Sequence, residues 1–132
     1  MITILALGKT KPVFVKEGIQ EYLKRLNKYV PLKYQEVEKL PKLKGYVIAL
    51  EVQGKQYDSK AFSIFLKKQM LEQKDLTFII GSENGFENEF LKTVQEKISL
   101  STMTFPHELV RVIFLEQLYR AFTLINNEPY HK

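Results

Sequence analysis

Ser99-Leu100-Ser101-Thr102-Met103-Thr104-Phe105-Pro106-His107-Glu108-Leu109-Val110-Arg111-Val112-Ile113-Phe114-Leu115-Glu116-Gln117-Leu118-Tyr119-Arg120-Ala121-Phe122 joins two segments of opposite character. Leu100 to Phe105 reads as a loop of small residues, rich in hydroxyls and backbone amides. Pro106 then suits the first turn of a helix, because its ring fixes φ and its missing N–H would be unpaired there anyway. Glu108 falls in that first turn, where negative charge complements the helix dipole. From Leu109 to Leu115 every residue but Arg111 is apolar. A helix apolar on all sides must be buried on all sides. In a chain of 132 residues that degree of burial calls for a second subunit.

Upstream of this stretch, Ile98 to Ser101 reads as a short strand. Before it, Phe90, Leu91, Val94 and Ile98 repeat as the buried side of a helix. Leu76 to Ile80 is a continuous apolar run of strand length that ends in Gly81-Ser82-Glu83-Asn84-Gly85-Phe86. A glycine loop between strand and helix is a common seat for a phosphate or nucleotide. This one is neither G-x-G-x-x-G nor G-K-[ST], so alone it is weak, and Gly81 and Gly85 could serve only as turn residues of positive φ. Asp58 can cap a helix that buries Phe62, Phe65, Leu66 and Met70. Tyr46 to Leu50 is another apolar strand, followed by Glu51 and a turn at Gln53-Gly54. Glu38 to Gly45, with Pro41 and three lysines, is a loop, and Leu32 to Val37 alternates weakly as a strand does. Val15, Ile19, Tyr22, Leu26 and Tyr29 recur at helical spacing, giving an amphipathic helix from Val13 to Tyr29 with a Glu21–Arg25 pair on its polar side. Ile2 to Leu7 opens the chain as a buried strand, and Gly8, Lys9 and Lys11 follow its carboxyl end, where open α/β sheets bind ligands. Strands alternating with helices make this an α/β fold with a largely parallel sheet flanked by helices. No linker, repeat or low-complexity tract divides residues 1–132, so one domain is expected.

Hydrophobic residues are 45% of the chain and charged residues 27%, the balance of a globular protein with a real core. The absence of cysteine excludes disulfides, thiolate metal sites and thiol nucleophiles, and no metal is expected. The apolar start is too short for a signal peptide and lacks its basic flank, and no run reaches transmembrane length, so a cytoplasmic protein with no membrane partner is expected. A net charge of +5 is compatible with a nucleic-acid partner without requiring one.

Several of these segments together are specific. Gly8-Lys9 follows the first strand, and Glu17-Gly18-Ile19-Gln20-Glu21-Tyr22-Leu23-Lys24-Arg25-Leu26 lies on the first helix. Val47-Ile48-Ala49-Leu50-Glu51 comes with Gly54-Lys55, and Phe78-Ile79-Ile80-Gly81 with Asn84-Gly85. Leu100 to His107, Glu116-Gln117-Leu118-Tyr119-Arg120-Ala121 and the terminal Pro129-Tyr130-His131-Lys132 complete the set. In these residues the chain resembles, over nearly its whole length, the RlmH family of SPOUT-class methyltransferases, which act on a pseudouridine of the large-subunit ribosomal RNA. It departs from the family's usual pattern in two places. The connection Glu38 to Lys44 is shorter than usual and lacks an extra helix, and Gly81-Ser82 stands where Gly-Gly is common.

The resemblance implies a SPOUT-type α/β-knot with a C-terminal trefoil knot, a homodimer, and S-adenosyl-L-methionine as cofactor. Carried over by position, the cofactor contacts are Leu50, Gly81, Leu100, Ser101, Thr102, Met103, Thr104 and Phe105. Their types suit an adenine slot with apolar walls and main-chain donors and acceptors. From the residues alone, Leu100, Met103 and Phe105 would read as ordinary core. The implied reaction is methylation of N3 of a pseudouridine in helix 69 of 23S rRNA within the ribosome. The N3 proton must leave, and His131 is the candidate acceptor, provided the tail reaches the site from its own or a partner subunit. Lys9, Arg111, Arg120, Tyr130 and Lys132 are candidate RNA contacts: the cations for phosphate, Tyr130 for stacking on a base. Arg120 also matches Glu116 at i,i+4 spacing, and His107 reads as a structural hydrogen-bonding group. The alternative is a non-catalytic ribosome- or RNA-binding dimer that keeps the fold; a dinucleotide enzyme lacks its glycine pattern.

Overall fold

A computed structural model describes residues 1–132. Five strands, β1 (Ile2–Leu7), β2 (Leu32–Val37), β3 (Tyr46–Gln56), β4 (Leu76–Ile80) and β5 (Glu96–Ser99), form one sheet in the order β2-β1-β4-β3-β5. Every strand pair is parallel. Four helices connect them: α1 (Val13–Leu26), α2 (Ser59–Glu72), α3 (Asn88–Leu91) and α4 (His107–Ile125).

The register shows why the central strands are continuous apolar runs. Ile4 lies opposite Phe78, and Phe78 opposite Ile48. These three belong to the main core, with Leu66 of α2 and Phe114, Leu115 and Leu118 of α4. The alternate residues Leu5, Ile79 and Ala49 stand side by side on the other face and are buried as well. Sheets buried on both faces lose the polar alternation of one-sided sheets. Phe114 seals the core, with its ring centroid 4.9 Å from that of Phe78 and 6.3 Å from that of Phe62. Where α1 crosses α4, Gly18 lets the helices approach: a Cβ there would stand 3.2 Å from the methyls of Val112. No helix is long and apolar enough to cross a membrane.

The strand and helix assignments made from sequence mostly stand, and β1, β2 and β4 coincide with them residue for residue. Asp58 caps α2 by accepting from the Ala61 N–H at 2.7 Å, and Glu21 pairs with Arg25 at 2.7 Å. Four expectations need correction. α1 ends at Leu26 rather than at Tyr29. β3 does not end at Leu50; it continues to Gln56 after an irregularity in which both Leu50 and Lys55 face Ile98 of β5. The chain bulges between them, and Gly54 makes this possible, since a Cβ there would lie 2.6 Å from the Lys97 carbonyl carbon. The helix expected to bury Phe90, Leu91, Val94 and Ile98 is only the four residues of α3, none of them buried, and Ile98 belongs to β5, which runs Glu96–Ser99 rather than Ile98 to Ser101.

A cleft at the carboxyl ends of the strands

The middle of β3, at its irregularity, and the carboxyl ends of β4 and β5 border one cleft of about 280 Å³. β3 supplies Leu50, Glu51 and Val52; β4 supplies Ile80 and leads into Gly81 and Ser82; the loop after β5 supplies Leu100, Ser101, Met103, Thr104 and Phe105. The first turns of α4 close the base with His107 and Val110. Of the eight residues expected to touch a cofactor, all but Thr102 line this one cavity; Thr102 is exposed on the same loop.

Local chemistry shapes each wall. Gly85 has φ +68° and donates its N–H to the Ser82 carbonyl at 2.9 Å, which folds the loop after β4 tightly back. Gly81 does not have positive φ; its role is space, since a Cβ there would meet the Phe86 ring at 3.3 Å. Ser82 likewise sits at ordinary φ, so a side chain is accommodated where the family often has a second glycine. The third wall is braced by its own hydroxyls: Ser99 Oγ donates to the Ser101 carbonyl at 3.0 Å, and Ser101 Oγ accepts from the Met103 N–H at 3.0 Å. The N–H groups of Ser101, Thr102, Thr104 and Phe105 have no main-chain partner. A slot with apolar sides and free amides fits the adenine and ribose of a nucleoside cofactor such as S-adenosylmethionine.

A second cluster forms where the C-terminal tail folds back on α4. Glu116 pairs with Arg120 at 2.7 Å and accepts from the Tyr130 hydroxyl at 2.9 Å. Arg120 Nη1 lies 3.1 Å from His131 Nδ1. The Tyr130 ring meets Tyr119 edge to face at 4.8 Å, and Glu128 accepts from the Tyr29 hydroxyl at 2.8 Å. Burial, then the bond to Glu116, pushes the Tyr130 hydroxyl well above its ordinary range. Arg120, Tyr130 and His131 are thus brought together, but within one chain His131 is not among the residues lining the cleft. Lys9 and Lys132 are exposed.

Arg111 corrects the sequence reading most. Expected to meet RNA phosphate, it has no exposed surface. Its guanidinium donates to Thr10 Oγ1 at 2.8 Å and to the Leu7 carbonyl at 2.7 Å, and lies 3.1 Å from the Glu36 carboxylate. Leu109, Val110, Val112 and Ile113, which were expected to be buried, are only half-buried in the single chain. His107 is a further correction: its ring makes no hydrogen bond, stands 3.9 Å from Glu108 and lines the cleft. Sequence reasoning also passed over Glu51 and Val52, whose position just past the β3 apolar run was the available signal.

An all-parallel sheet whose strand-end loops build one cleft defines a ligand-binding α/β protein of the open-sheet class. More narrowly, the family described as "Predicted SPOUT methyltransferase" matches residues 1–131, and the chain belongs to that family. A protein of Carboxydothermus hydrogenoformans named ribosomal RNA large subunit methyltransferase H is 43% identical, with 99% of each chain covered. One of the same name from Coprothermobacter proteolyticus is 42% identical with the same coverage, and one from Parabacteroides distasonis is 36% identical with 98% of each covered. The first alignment runs over 157 positions, more than the 132 residues here, so that relative carries residues this chain lacks; the second runs over only 137. The solved structure of a probable methylase family protein from Haemophilus influenzae Rd KW20 matches with a TM-score of 0.64 at 10% identity, over 99% of this chain and 70% of that one, a likeness of fold alone.

Proposed function

We propose that the chain is an S-adenosylmethionine-dependent methyltransferase that modifies N3 of a pseudouridine in helix 69 of 23S rRNA, on the assembled ribosome in the cytoplasm, as a homodimer whose C-terminal half is threaded as a trefoil knot. The observation that carries this reading is the convergence of Leu50, Gly81, Leu100, Ser101, Met103, Thr104 and Phe105, from β3 and the loops after β4 and β5, on one cleft. Family membership and the name shared by relatives matched over their full length support the ribosomal RNA substrate.

The bound cofactor supplies an electrophilic methyl group on a sulfonium. The protein's part is positioning, because methyl transfer is an in-line displacement. Leu100, Met103 and Phe105 enclose the adenine, the free amides of the loop after β5 fix its edges, and Gly81 leaves room for close approach to the main chain. Met103 and Phe105 are 72% and 38% exposed in the single chain, and burial of such side chains is the driving force for a second subunit to close the site. In that dimer the partner's tail brings His131 to accept the N3 proton at Nδ1, the ring nitrogen that faces Arg120 in the single chain and is the unprotonated one when Arg120 donates to it.

The test is transfer of labelled methyl from S-adenosylmethionine to unmodified ribosomes, to free 23S rRNA, and to ribosomes lacking the helix 69 pseudouridines. Label in the first alone is the expected result. Equal label in the third keeps a methyltransferase with another target. No label anywhere, together with no cofactor binding, overturns the enzyme and leaves an RNA-binding dimer.

A further inference from the structure

From the buried Arg111 cluster we infer that Arg111 and Glu36 are positioning residues that lock the Gly8–Lys11 loop onto the first turns of α4, so that Lys9 and Lys11 meet substrate RNA phosphates beside the cofactor cleft. This rests on the ribosomal RNA reading above and deepens it. The loop is pinned at two points one turn of α4 apart. Glu108 accepts the Lys11 N–H at 2.6 Å. Arg111 holds the Leu7 carbonyl and the Thr10 hydroxyl, and Thr10 in turn donates its hydroxyl and its N–H to the two oxygens of Glu36, at 2.5 and 2.9 Å. Gly8, at φ +93°, turns the chain over the guanidinium.

A buried ion pair is a poor device for stability alone, because desolvation cancels most of its attraction and apolar replacements often do as well. Arg111 even leaves its Nε without a partner. What the cluster does achieve is geometric. The turn of α4 that lines the cleft with His107 and Val110 is the turn that holds the loop. Lys9 and Lys11 are exposed on that loop, and neither takes part in an ion pair. Two unneutralised ammonium groups on a rigid backbone beside the reaction cleft suit the phosphates flanking a target nucleotide. Phosphate contacts set register and orientation without reading sequence.

The experiment is steady-state methylation of unmodified ribosomes over a salt series by three full-length variants. K9A/K11A is expected to raise KM for ribosomes ~10-fold, to leave kcat and S-adenosylmethionine affinity within ~2-fold, and to lower the slope of log KM against log salt by ~2, about one per lost phosphate contact. R111M/E36L, which replaces the ion pair by apolar groups of similar size, is expected to show the same KM effect. The combined quadruple variant is expected to add less than ~2-fold further, since the pair acts through the lysines. Unchanged KM and salt slope in K9A/K11A overturn the proposal, and this variant alters only exposed side chains, so misfolding does not obscure it. Full additivity of the two doubles overturns the positioning role. Failure of the wild type to methylate ribosomes at all is a different result, which overturns the proposed function itself.

Discussion

Glu36 shows how one carboxylate is tuned by its surroundings. Burial pushes it up, but the hydrogen bonds from Thr10 and Tyr34 and the charge of Arg111 outweigh that and hold it below its ordinary value of 4.5. A carboxylate lowered in the folded state stabilises the protein above the unfolded value, and that contribution is lost as pH falls through the folded one. Glu36→Gln is therefore expected to cost about 3 kcal/mol at neutral pH, by leaving Arg111 buried without a counter-charge. Chemical denaturation from pH 7 down to about 3 should show the gap from wild type narrowing in acid as Glu36 itself protonates; a gap that stays constant contradicts this account of the pair. The inward turn of Arg111 was not readable from the sequence. A helix apolar on all sides has no polar stripe to declare which side faces water, and the partner that draws the guanidinium inward lies in β2, far away along the chain. Leu100 to Phe105 was readable as a loop, because its composition differs sharply from the helix that follows, but its expected cofactor contacts came through the family resemblance and not from the residue types.

Among the elements, α4 and β3 carry the most consequence. Phe114 joins α4 to both α2 and the sheet, so Phe114→Ala should cost about 3–5 kcal/mol, measured by denaturant midpoint. Gly54→Ala should cost about 2 kcal/mol, since β3 and β5 must part to admit a methyl against the Lys97 main chain. Both ends of the β3 irregularity were visible in the sequence, Leu50 as the end of an apolar run and Gln53-Gly54 as a turn signal. That the strand resumes beyond it was not, because the pairing with β5 is a long-range contact that overrides the local turn signal. The tail is held partly by Tyr29, whose hydroxyl is pushed from 10.0 to about 12 by burial and then by its bond to Glu128. A raised value means that docking is fully supported below pH 10 and weakens as pH climbs toward about 12. A phenolate absorbance titration is expected to show this late ionisation, and Glu128→Gln to bring it earlier.

The single chain leaves Val13 and Phe14 65% and 67% exposed at the start of α1 and Met103 72% exposed, and Leu109 and Ile113 of α4 are only half-buried. Lys11, just before α1, donates its N–H to Glu108 and ties that segment to the first turn of α4. A homodimer that covers this apolar surface is expected from sedimentation equilibrium, and Leu109→Asp is expected to shift the population toward monomer with loss of methyl transfer. A monomeric wild type that still methylates ribosomes contradicts the composite site. The parallel sheet followed directly from the alternation of apolar runs with helices; a second subunit was expected from the all-round apolar helix after Pro106 as well as from the family resemblance, and a knot from the resemblance alone.

S-adenosylmethionine is proposed to occupy the cleft between the middle of β3 and the loops after β4 and β5. Calorimetric titration of the cofactor into wild type and Gly81→Val, with melting temperatures recorded beside it, tests this most directly. Gly81 sits at ordinary φ with the Phe86 ring 3.3 Å from its Cβ position, so valine is admitted by the backbone but crowds the cleft wall. Saturable binding by wild type and at least a ~10-fold loss of affinity in the folded variant are expected. No binding by wild type, or equal binding by both, would place the cofactor elsewhere or nowhere in this protein.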